Sequence, residues 1–471
     1  MLGILIEKEL RERIRSRAFA VTFGVCAVLI VLTFYIGACH YQVSVERWQA
    51  AQSENLRKME GLTDWLRVEH HIYLPPDPLS ALVTGITNDV GRTIEMYGRG
   101  ELTAEGSRYG EDPIYAVFRF LDLDFAFQVI LSLFAVLLAF NAVSGEKEQG
   151  TLRLAMANAV PRSTFILGKL AGTFLALGLP LLIPILLGCL LLMLMGVPLG
   201  GSDWARLALV IAAGLLYFGA FLGGAVWVSS LTHRATSAFL ILLIIWVVTV
   251  LMLPRAAVLL SGRAVDVLSV DEIAARKSAL SAQLWAEDQQ KMAAFKPGQS
   301  ADVDAVMKEF NDFMQERSAE REARMRELSD RLNEERRNGA RQREQLALNL
   351  ARISPAAVFS LAATTLAGSG LGLKDRFLAA ADGYQESYAR FMSEKTGGVL
   401  RGGGMVFITR RIDDSGPPPP IDPTEIPAFE MRPLAAGDVV GAALPDLLFL
   451  LLANVITFAG AVFAFLRYDV R

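Results

Sequence analysis

Six apolar runs, each long enough to cross a bilayer, constrain this chain more than anything else in it: residues 18–38, 125–143, 165–197, 204–229, 237–260 and 447–466. A spanning helix needs about 20 mostly apolar residues. Hydrocarbon offers no partner to an unpaired backbone group, so such runs form helices. The run 165–197 exceeds one straight span, and Pro180 and Pro184 interrupt its hydrogen-bond ladder, which predicts a kinked or tilted helix. Pro254 and Arg255 place the last turns of the fifth run at the interface. Composition agrees: 53% hydrophobic and 20% charged, with a mean hydropathy of +0.37, is more apolar than an ordinary soluble protein.

Orientation follows from the cations that flank the runs. Lys8, Arg11, Arg13, Arg15 and Arg17 precede the first; Arg153, Arg162 and Lys169 lie between the second and third; His233 and Arg234 separate the fourth from the fifth; Arg467 and Arg471 follow the sixth. With six spans all four groups fall on one side, the cytoplasm, and both termini lie there too. The predicted fold class is an all-α polytopic membrane protein with six transmembrane helices. Two insertions, 39–124 and 261–446, build a mainly helical extracytoplasmic domain. Ile36-Gly37-Ala38-Cys39 resembles a lipoprotein cleavage box, but Glu7, Glu9 and Glu12 precede a run of full spanning length, which argues for a retained helix.

Net charge is −3, so no nucleic-acid partner is implied. Three cysteines, Cys26, Cys39 and Cys189, have no spacing that suggests a disulfide framework or a metal site. The chain lacks G-x-x-x-x-G-K-[ST]: Gly168-Lys169 is followed by Leu170, and no glycine stands five residues before Gly168. It also lacks G-x-S-x-G, H-E-x-x-H and C-x-x-C, and four histidines leave little for acid–base chemistry. No catalytic residue, metal or cofactor is expected in the chain itself. Within the runs the charges noted are Arg206 near an end and Arg255 near an interface, too few for a proton path.

Along the chain, residues 1–17 place Leu2, Leu5, Ile6, Leu10 and Ile14 at helical spacing, which predicts an amphipathic helix in the inner interface, with Glu7 and Arg11 on its polar side. The first insertion opens with a polar helical stretch over about 41–71, ended by Pro75, Pro76 and Pro78. Glu69, His70 and His71 form no convincing metal set, because neighbouring side chains on a helix diverge. In the second insertion a helical hairpin is expected over 271–352, broken at Lys296-Pro297-Gly298, with Ser300 or Asp302 as a cap. Val303, Met307, Phe310 and Met314 form its apolar stripe, and Glu320/Arg324, Glu322/Arg326 and Glu327/Arg331 are i,i+4 pairs. Residues 353–373 carry no charge but are rich in Ala, Ser, Thr and Gly. They are expected on the outer membrane face or within the outer domain, rather than as a seventh span. A short strand is expected over 405–412, followed by a proline-stiffened return to the last span. Gly168-x-x-x-Gly172 and Gly219-x-x-x-Gly223 read as ordinary close packing of helices.

Residues 144–164 interrupt the apolar chain with a compact, charged corner. The stretch "LDLDFAFQVILSLFAVLLAFNAVSGEKEQGTLRLAMANAVPRSTFILGKLAG" resembles the ABC-2 type permeases, through Ser144, Gly145, Glu146, Glu148, Gly150, Thr151, Leu152, Pro161, Arg162, Gly168 and Lys169. Asn141 departs from the family, which often has an acidic residue near this place. "LPPDPLSALVTGI", "SPAAVFSLAATTLAGSG" and "FLAAADGYQESYARF" are similar to the subgroup with enlarged extracytoplasmic domains.

The resemblance implies a half-transporter of the bacterial inner membrane. It would pair with a second copy or a similar permease, sit in membrane lipid, and receive a separate cytoplasmic ATPase that holds ATP and Mg. It further implies that the corner is a coupling helix. Glu146, Lys147, Glu148, Gly150, Thr151, Leu152 and Arg153 would lie in the ATPase contact region, Pro161 and Arg162 would turn the chain into the third span, and Lys169 would open that span. Glu7 and Arg11 belong to the neighbouring interfacial helix. Thr151 is a plausible N-cap, and Leu152, Leu154 and Met156 offer apolar contacts. The expected function is export of an unidentified substrate driven by the partner's ATP hydrolysis. The alternative is a subunit that transmits motion to its outer domains, and to an envelope partner there, without moving a substrate. A passive receptor or scaffold would have no ATPase partner.

Overall fold

The computed structural model describes residues 2–87, 91–97, 102, 104–105, 122–157, 161–294, 303–396, 420–432 and 434–468. The strand expected over 405–412, the caps Ser300 and Asp302, and the side chains of Val303, Met307 and Phe310 lie outside the described residues. The chain divides into two compact bodies, Met1–Arg255 with Ala351–Arg471, and Ala256–Leu350.

The first body begins with α1 (Leu2–Ile14). Ser16 then starts a new helix, its hydroxyl accepting from the Phe19 amide at 3.1 Å. That helix, α2 (Arg17–Met59), runs 43 residues without a break, about 65 Å. The polar stretch expected as a separate outer helix is therefore the continuation of the first span. It ends at Met59, followed by Gly61 at φ 81°. After it come β1 (His70–Tyr73), β2 (Thr93–Met96) and β3 (Ala104–Glu105) in one antiparallel sheet of order β1-β2-β3. The sheet is a small addition to a chain that is otherwise mostly helical, in keeping with the expected all-α class. Four-residue strands carry too little period-two signal to stand out beside long helices, yet Ile72 and Ile94 alternate inward and pair across it. His70 and His71 thus lie on a strand, not a helix.

The membrane helices follow: α3 (Leu123–Glu148), the short α4 (Thr151–Ala157), α5 (Arg162–Leu194), α6 (Gly201–Leu231), α7 (Ala235–Ala264) and, at the far end of the chain, α12 (Ala436–Leu466). Pro180 and Pro184 lie inside α5. In α3 and α7 the helix widens to π-type turns at Ala126–Leu131 and Val247–Met252. Helices α6 and α12 approach closely because Gly219 and Gly223 leave room for Asn454 and Thr457.

Seven helical stretches among the described residues are long and apolar enough to cross a membrane, one more than expected. The additional stretch, Pro355–Thr396, is two helices, α10 (Pro355–Ala367) and α11 (Gly372–Thr396), parted at Gly368 with φ 76°. Helix α10 is not on an outer face. It is buried almost throughout and packs against α6 and α12, with Phe359 stacked on Tyr217 at 5.1 Å. Its small residues allow that approach. Where α10 meets α7, Ser354 both caps α10 and donates to the Thr249 carbonyl inside the π-type turn. Helix α11 joins a second core with the sheet, built on Met59, Ile72, Ile94, Phe377 and Tyr388.

The second body is a helical hairpin of α8 (Val270–Ala294) and α9 (Val303–Ala351). The helices run antiparallel: Asp288 pairs with Arg321 at 2.8 Å, Glu287 with Arg324 at 3.1 Å and Lys291 with Glu320 at 3.7 Å. Arg321 also lies over the Trp285 ring, 4.4 Å from its centroid.

Candidate functional site

The charged corner between α3 and α5 is built where six helices meet, α1, α3, α5, α6, α7 and α12. At its centre stands Lys169, two turns inside α5 and only 5% exposed. Its ammonium donates to Glu146 of the corner at 2.6 Å and to Glu9 of α1. An unpaired ammonium at this depth would cost several kcal/mol, so the two carboxylates fix where the corner and α1 sit. Arg13 lies 3.8 Å from Glu9 and donates to Asn141 Oδ1 at 3.1 Å and to the Leu138 carbonyl. Asn141, the departure from the family pattern, thus holds the place where a carboxylate would face Arg13. Lys8 reaches Glu146 at 3.3 Å. Burial draws the Lys8 ammonium down, but Glu146, Glu12 and Glu9 outweigh it and raise its pKa.

Helix α1 is held against α5 by shape as well as charge. A methyl group placed on Gly168 would stand 2.8 Å from Leu5 Cβ, and one on Gly172 would stand 2.6 Å from Glu9 Cβ. The Gly168-x-x-x-Gly172 pair is therefore a packing groove, and its occupant is the N-terminal helix. The stripe of α1 read as lipid-facing turns instead, at Leu5, Ile6, Glu9 and Leu10, toward protein, while Leu2, Ile4 and Ile14 stay exposed. Glu7 and Arg11 pair at 2.7 Å on the exposed side.

Three other charges, Lys147, Glu148 and Arg162, also bind the ends of neighbouring helices. Lys147 donates to the last carbonyls of α6, Ser230 and Thr232 (3.1 Å to the latter), and sits 4.0 Å over the Tyr468 ring. A cation at a helix C-terminus meets both orphan carbonyls and a favourable dipole. Glu148 accepts from the Ala235 amide at 3.2 Å, the complementary contact at the N-terminus of α7. Arg162 donates to the Leu466 and Tyr468 carbonyls at the end of α12, at 2.8 and 3.0 Å. Ser229 of α6 accepts from the amides of Val143 and Ser144, at 3.0 and 2.9 Å.

Gly150, at φ 74°, turns the chain from α3 into α4. Thr151 is the first residue of α4 rather than an N-cap; its hydroxyl donates back to the Glu146 carbonyl at 3.4 Å. Leu152 is buried with Val143, Phe165 and Phe465 beneath the corner. Leu154 is 69% exposed, Met156 is half-buried, and Gln149, Gly150, Thr151 and Arg153 are exposed. Pro161 stands at the N-cap of α5, where its missing N–H costs nothing.

The structure thus divides the site residues read from sequence. Glu146, Lys147, Glu148, Leu152, Arg162 and Lys169 are brought together as internal ties, whereas Gly150, Thr151 and Arg153 face outward. Sequence reading missed Glu9, Arg13 and Ser229. Glu9 and Arg13 are four apart on the apolar stripe of α1, and Lys169 lies between Gly168 and Leu170 inside an apolar run. A charge in such a place has a partner elsewhere; the partner's position, 160 residues away for Glu9, is not in either pattern.

Two comparisons bear on what this arrangement belongs to. The family model described as ABC-2 family transporter protein matches residues 4–470, nearly the whole chain. A probable ABC transporter permease protein, NosY of Stutzerimonas stutzeri, is 36% identical over 126 residues, a stretch of 26% of this chain and 45% of that protein. A bundle of membrane helices with a charged, helix-tying corner, matched end to end by that family, settles the assignment: the chain belongs to the ABC-2 transporter family and is a multi-pass membrane permease subunit of an ABC transporter.

Proposed function

We propose that this permease subunit exports its substrate with energy delivered by a separate ATPase at the exposed side of the α3–α4 corner. One observation carries the reading. The corner is tied by Glu146, Lys147 and Glu148 to α5, α1, α6 and α7, while Leu154 and its neighbours face away from them. A push on the exposed residues is then delivered to four helices at once, because hydrogen-bonded, packed ends move as a unit. ATP and Mg belong to the ATPase, and no step of their chemistry falls to this chain.

In this reading the chain makes six spans in the bacterial inner membrane, with both termini in the cytoplasm. Helix α10, at 13 residues about 20 Å long, is shorter than the ~30 Å hydrocarbon core and is a buried plug, not a span. A second copy, or a similar permease, completes the membrane body. The Glu7 and Arg11 side of α1 stands beside the corner as a further contact for the ATPase.

The test is ATP hydrolysis by the cognate ATPase, reconstituted with the permease. Leu154→Asp with Arg153→Glu abolishes permease-stimulated hydrolysis and co-purification while insertion persists. Unchanged stimulation overturns the docking claim.

A second reading is favoured by the α8–α9 hairpin, a charged body of its own: the subunit transmits motion to an envelope partner without moving a substrate. Deleting residues 271–352 separates the two. Residual transport supports export, and loss of all output with intact ATPase stimulation supports transmission.

A further inference from the structure

Between α6, α7 and α12 the bundle encloses a half-open cavity of about 400 Å³. Val228, Leu231, Ile241, Ile245, Ala453 and Pro355 are among its walls, and the polar side chains there are the hydroxyls of Thr232, Thr249 and Thr457 and the indole of Trp227. Those hydroxyls are already spent: Thr232 donates to the Val228 carbonyl at 3.1 Å, Thr249 to Ile245 at 2.8 Å and Thr457 to Ala453 at 2.9 Å. The Trp227 indole apart, no side chain on these walls has a donor left for a ligand. Along α6 the lining runs from Ala220 to Thr232, about 18 Å, and it ends where the helix ends. That is about the depth of one leaflet's hydrocarbon, half of ~30 Å.

The end of the cavity carries two cations and one carboxylate, Glu148, which is already engaged by the Ala235 amide at 3.2 Å. Arg234 is exposed two residues beyond Thr232, and the Lys147 ammonium lies 3.1 Å from the Thr232 carbonyl. Leu231, Ile241 and Ile245, by contrast, are open to the membrane. An apolar slot one leaflet deep, with Arg234 exposed at its mouth and Glu148 already engaged by a backbone amide, has the chemistry of an anionic phospholipid: one acyl chain along the slot and the phosphate at Arg234.

We propose that this cavity is a binding site for an anionic phospholipid of the inner leaflet. The leaflet rests on the orientation given under Proposed function; the slot and its charged mouth do not. The acyl chain fills space between α6 and α7, next to the Glu148 and Lys147 ties, so an occupied site props apart the helices that the corner moves.

The test uses the full chain in phosphatidylethanolamine vesicles. These contain phosphatidylglycerol with a diazirine in one acyl chain or, in a parallel set, phosphatidylcholine with the same label. After photolysis, labelled peptides are mapped. Label is expected at Leu231, Ile241 and Ile245, stronger from phosphatidylglycerol. Ala453→Phe or Gly224→Phe fills the slot and removes that label; Arg234→Gln abolishes the preference for phosphatidylglycerol while label remains. Label spread evenly over exposed apolar positions such as Val25 and Val455, or unchanged by the filled variants, overturns the proposal. So does chain-to-chain crosslinking across the cavity, which would give it to a second copy. Arg234→Cys, probed with an impermeant maleimide in sealed vesicles of known orientation, reads the leaflet separately. Outer accessibility there with intact slot labelling reverses the topology and leaves the lipid site standing.

Discussion

Lys169 donates to Glu146 at 2.6 Å, from two turns inside α5 to the last turn of α3, and the same ammonium holds Glu9 of α1. Three segments that lie far apart in the chain are thereby locked through one nitrogen. Removing that nitrogen leaves two carboxylates facing each other in a buried place. Lys169→Met is expected to cost about 3–5 kcal/mol, the range for breaking a buried pair by deleting one partner. Glu9→Gln in the same chain should return a large part of this, because the stranded charge is gone. Thermal unfolding in detergent of the single and double variants checks both. A double variant no more stable than Lys169→Met would show that the methionine's packing, not the charge, does the damage.

Gly172 makes a separate claim about the same joint. A side chain there collides with Glu9 Cβ, part of a backbone-near wall that cannot swing away. Gly172→Leu should lift α1 from α5 without removing any charged group. The expected readout is new reactivity of a cysteine placed at Leu5 or Leu10, both partly buried against α5, toward a small maleimide. Gly172→Ala should give an intermediate response. If Leu10→Cys is equally protected in both backgrounds, α1 is held by its charges alone.

These two residues also show what a sequence can and cannot disclose. The membrane class was legible because a spanning helix is written locally, as about 20 apolar residues in a row. The charged corner was legible because ionised side chains between two such runs stand out. What the charges touch was not: Lys147 and Glu148 read as part of a contact region and Arg162 as a turn into the third span, and each also satisfies backbone groups at the end of a helix more than 80 residues distant, as for Lys147 and Thr232. Helix α10 was placed outside the bundle because Ala, Ser, Thr and Gly are weak membrane formers. Inside a bundle those residues are what lets a helix fit between neighbours. Burial by protein and burial by lipid ask for different side chains, and a hydropathy pattern responds to lipid.

Helix α10 can be tested through its largest buried side chain. Phe359 is fully buried, stacked on Tyr217 at 5.1 Å and 5.7 Å from Phe127. Phe359→Ala opens a cavity among three spanning helices and should cost about 3–5 kcal/mol. Phe359→Leu should cost less than half of that. If α10 lay on the outer face, Phe359→Ala would change the melting temperature very little. The comparison therefore measures the depth of α10 as well as the packing.

His70 supplies a pH dependence in the body that α11 shares with the sheet. Asn55 is oriented by two contacts with His71, accepting from its amide at 3.2 Å and donating to its carbonyl at 3.1 Å. Its amide nitrogen therefore faces His70 Nδ1, 3.2 Å away, as a donor. Tyr384 gives its proton to the Pro427 carbonyl at 2.7 Å and so receives the Nε2–H of His70 at 3.0 Å. Both ring nitrogens are used in the neutral form, and among the described residues no hydrogen-bond acceptor is paired with Nδ1. Burial, with a smaller push from His71, lowers the His70 pKa to about 4. The unfolded chain takes up this proton near pH 6.5. The contribution is thus complete above about pH 6.5 and is lost progressively as the pH falls to about 4, by roughly 3 kcal/mol in all. The melting temperature of the purified permease, measured from pH 7.5 to 4.5, should fall more steeply than that of His70→Gln, which carries no titrating ring. Parallel curves for the two proteins would assign the acid sensitivity to other groups.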